Sequence, residues 1–330
     1  MTVNRRNFLR TTTLLPAALA TPSILRIESS AYAQDVTTKA VGGPRAIGRK
    51  VGEVEVFALM DGYGNFPNAM FSSFEVKTGE AASKLAHKSF DPATSNIGVN
   101  AYLIKTKDRV IAVDAGSPSL MGPTAGHWAK ALAATGVAPE QIDTMFLTHI
   151  HPDHVGGLAN PETGARVLPN ATLVTSEAEW QFVHDDVIYS KQPKKIQPFW
   201  DISRAMVKPY DSVKSFIKPG SEIAPGLTTI ALPGHTPGML GLRIDSGNES
   251  LMIWADIIHG TAFQFAQPDW SFVLDADQAK AAETRKSILD MTATDSIMVA
   301  GMHLDFPGFG FVERANGAYR FIAAPFDYRI

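Results

Sequence analysis

The run Thr148-His149-Ile150-His151-Pro152-Asp153-His154 places three imidazoles and one carboxylate within six residues. Imidazole nitrogen and carboxylate oxygen are ligands for Zn(II) and similar borderline cations. In hydrolases such ions ease the ionisation of water and polarise the bond it attacks. Residues two apart at the end of an extended segment can point the same way, so His149 and His151 can converge on one ion while Asp153 and His154 turn toward a second. A surface cluster of histidines would have the same composition, so the rest of the chain has to decide.

Three further residues supply matching pieces. His235 sits in Leu232-Pro233-Gly234-His235-Thr236-Pro237-Gly238, Asp256 in Trp254-Ala255-Asp256, and His303 in Gly301-Met302-His303. Each follows a short apolar run: Leu227 to Leu232, Leu251 to Ala255 and Ile297 to Ala300. These runs are bounded by Gly, Pro, Asn or Asp, as buried strands are. The pattern predicts donors on strand-end loops, where sites are commonly built.

In order and spacing these residues resemble the metallo-β-lactamase superfamily, whose signature is His-x-His-x-Asp-His followed by a distant His, an Asp and a last His. All seven positions are filled here. The resemblance covers the chain from about Val51 onward and implies an α/β fold, a four-layer αβ/βα sandwich with the site at one edge between the sheets. It also implies two divalent ions: His149, His151 and His235 on the first, Asp153, His154 and His303 on the second, and Asp256 bridging both. Zn is the expected metal, with Mn, Fe or Co as substitutes, and the absence of cysteine removes any bias toward softer ions. A water bridging two such ions loses its proton near neutral pH and becomes the nucleophile, so no Ser, Cys or Lys nucleophile is needed. The catalytic candidates are Asp256 and Asp153, the latter also able to hold the hydroxide and later shuttle a proton.

Within the superfamily, Trp254-Ala255-Asp256-Ile257-Ile258-His259, the stretch Gly301 to Gly310 and Tyr319-Arg320-Phe321 resemble one exported branch. That branch contains methyl parathion hydrolase and related lactone or aryl-ester hydrolases. The chain departs from many of these relatives where Met239 replaces a common His after Thr236-Pro237-Gly238. That position is not a ligand, so the change touches pocket chemistry and leaves metal binding alone. The expected reaction is the opening of lactones or aryl esters, with aromatic lactones such as dihydrocoumarin favoured. Organophosphate triesters and acyl-homoserine lactones fit the same chemistry. The fold also hosts thiol-ester hydrolases and iron-dependent persulfide-type oxidoreductases, whereas oxygen-reducing relatives carry Glu where His151 stands.

Trp180, Phe199, Phe263 and Phe272, together with His259 three residues past Asp256, are the candidate substrate pocket. Such a pocket is apolar and aromatic and suits a small uncharged ring-bearing ester or lactone. Arg243 and Lys280 are the cations nearest the motifs, and nothing puts either at the metals. His87, His127 and His184 read as exposed or helix-end residues.

Several elements must position these groups. Val54 to Leu59 alternates as a strand and runs into Asp61-Gly62-Tyr63-Gly64, which reads as a turn. Ala101 to Ile104 and Val110 to Val113 predict a hairpin, and Met145 to Leu147 the strand that delivers the histidine motif. Helices are predicted over 126–135, 177–183 and 277–291, the last capped by Asp275 or Asp277. Asp114 follows the hairpin. By the same resemblance it props the metal loop through hydrogen bonds and is assigned to structure.

The 330 residues are 45% hydrophobic, with no low-complexity linker or charge block, so one hydrolase domain is expected from 51 to 330. A balance of 30 basic against 33 acidic residues argues against nucleic acid as a partner. No stretch is long and apolar enough for a permanent membrane span. Residues 1–33 read as a twin-arginine export signal: Arg5-Arg6-Asn7-Phe8-Leu9-Arg10, a mildly apolar stretch through Ala20, then Ala31-Tyr32-Ala33. A flexible arm is expected over 34–50. The implied destination is the periplasm or the outside. A domain of this size needs no disulfide there, since metal binding adds to its stability. Apolar residues between Trp200 and Phe216 could support a homodimer.

Overall fold

The structure is a computed structural model that describes residues 43–118 and 122–330. The expected leader over 1–33 and most of the arm over 34–50 lie outside the described residues. One sheet contains β1 (Ala46–Val51), β2 (Val54–Pro67), β3 (Thr94–Lys105), β4 (Val110–Val113), β5 (Thr144–Phe146), β6 (Thr172–Thr175) and β7 (Lys214–Phe216), side by side in that order. Neighbours are antiparallel from β1 to β4 and parallel from β4 to β7. The other sheet runs from β8 (Glu222–Ala224) through β9 (Leu227–Ala231), β10 (Leu240–Ser246), β11 (Glu249–Ile253), β12 (Met298–Ala300) and β13 (Phe309–Ala315) to β14 (Ala318–Ala323). Here only β11 and β12 are parallel. The helices are α1 (Val76–Leu85), α2 (Trp128–Ala133), α3 (Pro152–Val155), α4 (Glu177–His184), α5 (Asp186–Lys191), α6 (Gln197–Val207) and α7 (Gln278–Asp295).

Strand periodicity sorts the apolar residues into layers. Tyr102, Ile104, Ile111 and Val113 point one way and meet Leu242, Ile244, Leu251 and Ile253 of the other sheet, forming the core between the sheets. Their alternates Ala101, Leu103 and Ala112 face outward onto Trp128, Leu132, Trp200 and Val207 of α2 and α6. On the far side Met252 and Val299 meet Ile288 and Leu289 of α7. Helix, sheet, sheet, helix is the four-layer αβ/βα sandwich. Strands covered on both faces read as continuous apolar runs, which is why Val110–Val113 and Leu251–Ile253 are apolar throughout.

Two expectations change. Residues 46–50, expected in the flexible arm, belong to β1: Asp327 accepts from the Lys50 amide at 3.0 Å, and Arg329 donates to the Lys50 carbonyl at 3.0 Å and pairs with Glu249. These contacts and the ladder to β2 hold them in the sheet. Asp61-Gly62 is no turn, because β2 continues through it to Pro67 with a bulge between Met60 and Gly62. Of the two candidate caps of α7, Asp277 takes the role, accepting from the Lys280 amide at 2.9 Å. Between Trp200 and Phe216 the side chains of Trp200, Val207 and Tyr210 are buried, while that of Phe216 is exposed.

The bulge at Asp61 has a structural purpose. Its buried carboxylate accepts from the amides of Ser117, Gly126 and Trp128 at 3.1, 3.0 and 2.7 Å, pinning the segment that follows Asp114. A side chain at Gly62 would collide with the Thr124 carbonyl, so the docking also requires glycine. Asp61→Ala strips the buried amides of Ser117 and Trp128, and the part-buried one of Gly126, of their acceptor, at roughly 1–3 kcal/mol for each buried group. We expect it to cost about 3 kcal/mol or more in urea unfolding at fixed zinc, with Asp61→Asn less affected.

Candidate metal centre

The donors sit where strands end. His149 and His151 follow β5, His154 lies on α3, His235 is in the β9–β10 loop, Asp256 follows β11 and His303 follows β12. Parallel pairing of β4 with β5, and of β11 with β12, brings these chain ends to one edge of the sandwich. Two non-glycine residues there are left-handed, Asp114 at φ 58° and Ala255 at φ 51°. Such backbone costs on the order of 1–3 kcal/mol and persists where the surroundings enforce it.

All seven signature residues converge. Nδ1 of His151 lies 3.1 Å from Nε2 of His149 and 2.9 Å from Nε2 of His235. Asp256 Oδ1 faces Nε2 of His154 at 3.3 Å, while Oδ2 faces Nε2 of His303, His235 and His149 at 3.1, 3.2 and 3.5 Å. Asp153 Oδ2 lies 3.5 Å from His303 and 3.7 Å from His154. Donors at 2.0–2.1 Å from a tetrahedral zinc stand roughly 3.3 Å apart, so this spacing fits an ion. His154 Nε2 and Asp256 Oδ1 are buried without a hydrogen-bond partner, which also fits a cation between them. Among the described residues five donor triads lie within 4.8 Å: His149 with His151 and His235, His149 with His154 and Asp256, Asp153 with His154 and His303, His235 with His259 and Asp275, and Asp256 with His259 and His303.

Three of the inward nitrogens are fixed by what holds the opposite one. Nδ1 of His154 meets Asp114 at 2.7 Å, Nδ1 of His235 meets Asp275 at 2.8 Å, and Nδ1 of His303 donates to the Gly98 carbonyl at 2.7 Å. These partners leave Nε2 free to face the centre. Asp114 also accepts from the Thr148 amide and hydroxyl, so it props the motif loop as expected. Burial, reinforced by neighbouring imidazoles, holds His149 well below its usual range and pushes His151 down to about 3. Burial also opposes charge on His154, yet Asp256, Asp153 and Asp114 together hold it well above that range. Asp256 lies well below the carboxylate range despite burial, because His154, His303 and His149 surround it.

The pocket candidates divide. His259 joins the centre, with Nε2 3.3 Å from Asp256 Oδ2, its ring stacked on His303 at 5.0 Å and on Phe272 at 4.4 Å. Burial pushes it down to about 4, so it is a neutral imidazole. Phe272 is thus beside the donors. Phe263 is fully buried against Phe71 and Trp270 and is core, contrary to expectation. Trp180 stacks on His184 under Lys214, and Phe199 is exposed on α6; neither joins the His303, His259 and Phe272 stack. His87, His127 and His184 belong to none of the donor groups.

Sequence reading missed Asp275, Glu179 and Arg285. The Arg285 guanidinium is buried and donates to the carbonyls of Ile257, Pro268 and Trp270, tying the Asp256 loop to the aromatic segment beside Asp275.

This fold and this donor set define a class. Residues 95–303 match the family model Lactamase_B, Metallo-beta-lactamase superfamily, and the chain belongs to that superfamily. It is a metal-dependent hydrolase. The solved structure of the hydrolase AbOPH is 30% identical with a TM-score of 0.81, covering 87% of this chain and 99% of that one. AidC, a dizinc quorum-quenching lactonase solved with the product N-hexanoyl-L-homoserine, is 28% identical with a TM-score of 0.79, covering 86% and 99%. The N-acyl homoserine lactonase AiiB of Agrobacterium fabrum strain C58 is 28% identical over 173 residues, 45% of this chain and 58% of that protein.

Removing the carboxylate behind His235 frees its ring. Loss of such a partner costs roughly 10–100-fold in metal affinity. Asp275→Ala should raise the zinc dissociation constant by that factor in a chelator-competition titration.

Proposed function

We propose that this chain is a dinuclear hydrolase of lactones and aryl esters, with aromatic lactones such as dihydrocoumarin preferred. The observation that carries the reading is Asp256, whose two oxygens face different histidines, so one carboxylate stands between two donor groups. In this reading His149, His151 and His235 hold one ion, Asp153, His154 and His303 hold the other, and both are zinc. Bound there, the ions would supply an activated water and Lewis-acid assistance to the scissile carbonyl. We assign proton transfer to Asp153, whose side chain is 19% exposed while that of Asp256 is 2% exposed. His259, with an unpartnered Nδ1 and a ring against Phe272, is the group we assign to the substrate.

An uncharged substrate suits the surroundings. Arg243 is paired with Asp245 and Lys280 with Glu283, and Arg285 is committed to backbone carbonyls. None of these cations is aimed at the donors to receive a phosphate monoester or a carboxylate. Phe272 instead lays its ring against His259, backed by the ring of Phe71. The likeness to AidC favours acyl-homoserine lactones as a second reading. Organophosphate triesters are a third, since the same nucleophile serves them.

Initial rates of the zinc-loaded protein on dihydrocoumarin, N-hexanoyl-homoserine lactone and methyl parathion separate the three. We expect kcat/KM to be highest on dihydrocoumarin and lost on chelation. The reverse order selects the second or third reading; two zinc ions per purified chain would disfavour persulfide oxidation, and iron in their place would reopen it. His151→Ala should lower kcat/KM by at least about 100-fold, since losses behind the ligands already cost roughly 10–100-fold. Full activity in that variant would overturn the mechanism.

We further propose export by the twin-arginine route, on the strength of Arg5-Arg6 and Ala31-Tyr32-Ala33. Changing Arg5 and Arg6 together to Lys should retain the protein in the cytoplasm on cell fractionation, and unchanged export would refute the assignment.

A further inference from the structure

Glu179 is a carboxylate buried to 1% exposure on the first turns of α4, and nothing in the reaction uses it. Its two oxygens go to two different loops. Oε1 accepts from the amide of Ile150, the residue between His149 and His151, at 3.0 Å. Oε2 accepts from the hydroxyl of Thr236, the residue after His235, at 2.5 Å. Those loops come from different sheets and carry the three histidines whose inward nitrogens lie 2.9–3.1 Å apart. Next to it, Ser176 accepts from the Glu179 amide and donates to the Gly238 carbonyl at 2.7 Å. A side chain at Gly238 would collide with the Glu179 backbone and the Ser176 hydroxyl, so the helix start rests directly on the His235 loop.

We infer that Glu179 is a positioning residue that clamps the His149–His151 loop to the His235 loop and so selectively sets the affinity of one of the two metal positions. The inference rests on the reading that these three histidines share an ion. Asp114 and Asp275 each grip an imidazole, Asp114 holding Thr148 of the motif loop as well, whereas Glu179 touches no imidazole and joins two loops from different sheets. Burial raises its pKa, an effect that the hydrogen bonds from Thr236 and Ile150 only partly offset. The second donor group, Asp153, His154 and His303, is supported by Asp114 and the Gly98 carbonyl and lies outside this clamp.

Glutamine at this position keeps the shape: its carbonyl can accept from Ile150 while its amide donates to the Thr236 hydroxyl. Alanine removes both arms. Zinc and cobalt titrations of the full chain against a chelator, resolving two binding steps, should show one step weakened about 10–100-fold in Glu179→Ala. The other step should stay within threefold of the parent, and Glu179→Gln should restore the weakened step to within about fivefold. The d–d spectrum of the bound cobalt should shift for the weakened step alone. If Glu179→Ala does not fold, Thr236→Val cuts one arm only and should weaken the same step about threefold to tenfold.

Equal weakening of both steps, or two unchanged steps with only a lowered Tm, would overturn the clamp. A parent protein that binds no second ion would instead overturn the two-ion reading.

Discussion

A buried imidazole can give only one nitrogen to a cation, and the structure of this protein follows from holding the other. Six histidines meet at the centre within a few ångströms, taken out of water; burial suppresses the charged forms of His149, His151 and His259, while carboxylates favour those of His154 and His303. A ring left free to rotate would lose its aim, and a fixed acceptor on its outer nitrogen prevents that. Asp114 after β4, Asp275 ahead of α7 and the Gly98 carbonyl within β3 do this for His154, His235 and His303. Arg285 then ties the Asp256 loop to the segment ahead of Asp275, and Asp61 holds the segment that follows Asp114. Much of the backbone outside the regular strands is organised around this need.

The sandwich is the device that brings those acceptors to one place. Parallel pairs in each sheet put several strand ends on the same edge, and the apolar interior between the sheets sets their separation. The loops can therefore be irregular, and even left-handed at Asp114 and Ala255, because the strands before them are pinned by close packing.

The fold and the donors were legible in the sequence because both rest on local patterns. His149 to His154 stand close together, and His235, Asp256 and His303 each trail an apolar strand whose period can be read. What escaped depends on approach in three dimensions. Asp61-Gly62 has turn composition, yet it docks a distant segment. Phe263 follows soon after Asp256 but is turned into the core by Phe71 and Trp270. Ser176 and Glu179 have the spacing of a helix-capping box, which would send the glutamate back to its own helix; it reaches instead to two loops far along the chain. Asp275 and Asp277 both have the place of a cap ahead of α7; Asp277 fills it, and Asp275 turns instead to His235, 40 residues back along the chain.

The donor set is divided between the sheets, with His149, His151, Asp153 and His154 following strands of one and His235, Asp256 and His303 following strands of the other. Any sliding of one sheet over the other changes donor separations at this edge before it breaks a single strand. The centre is therefore a rivet across the seam. No half of the chain owns a complete site, so ion uptake registers the assembly of the whole sandwich. Neither half can be borrowed as a working unit, and substitutions that adapt the enzyme to a new substrate have their freedom in the rim rather than in the seam.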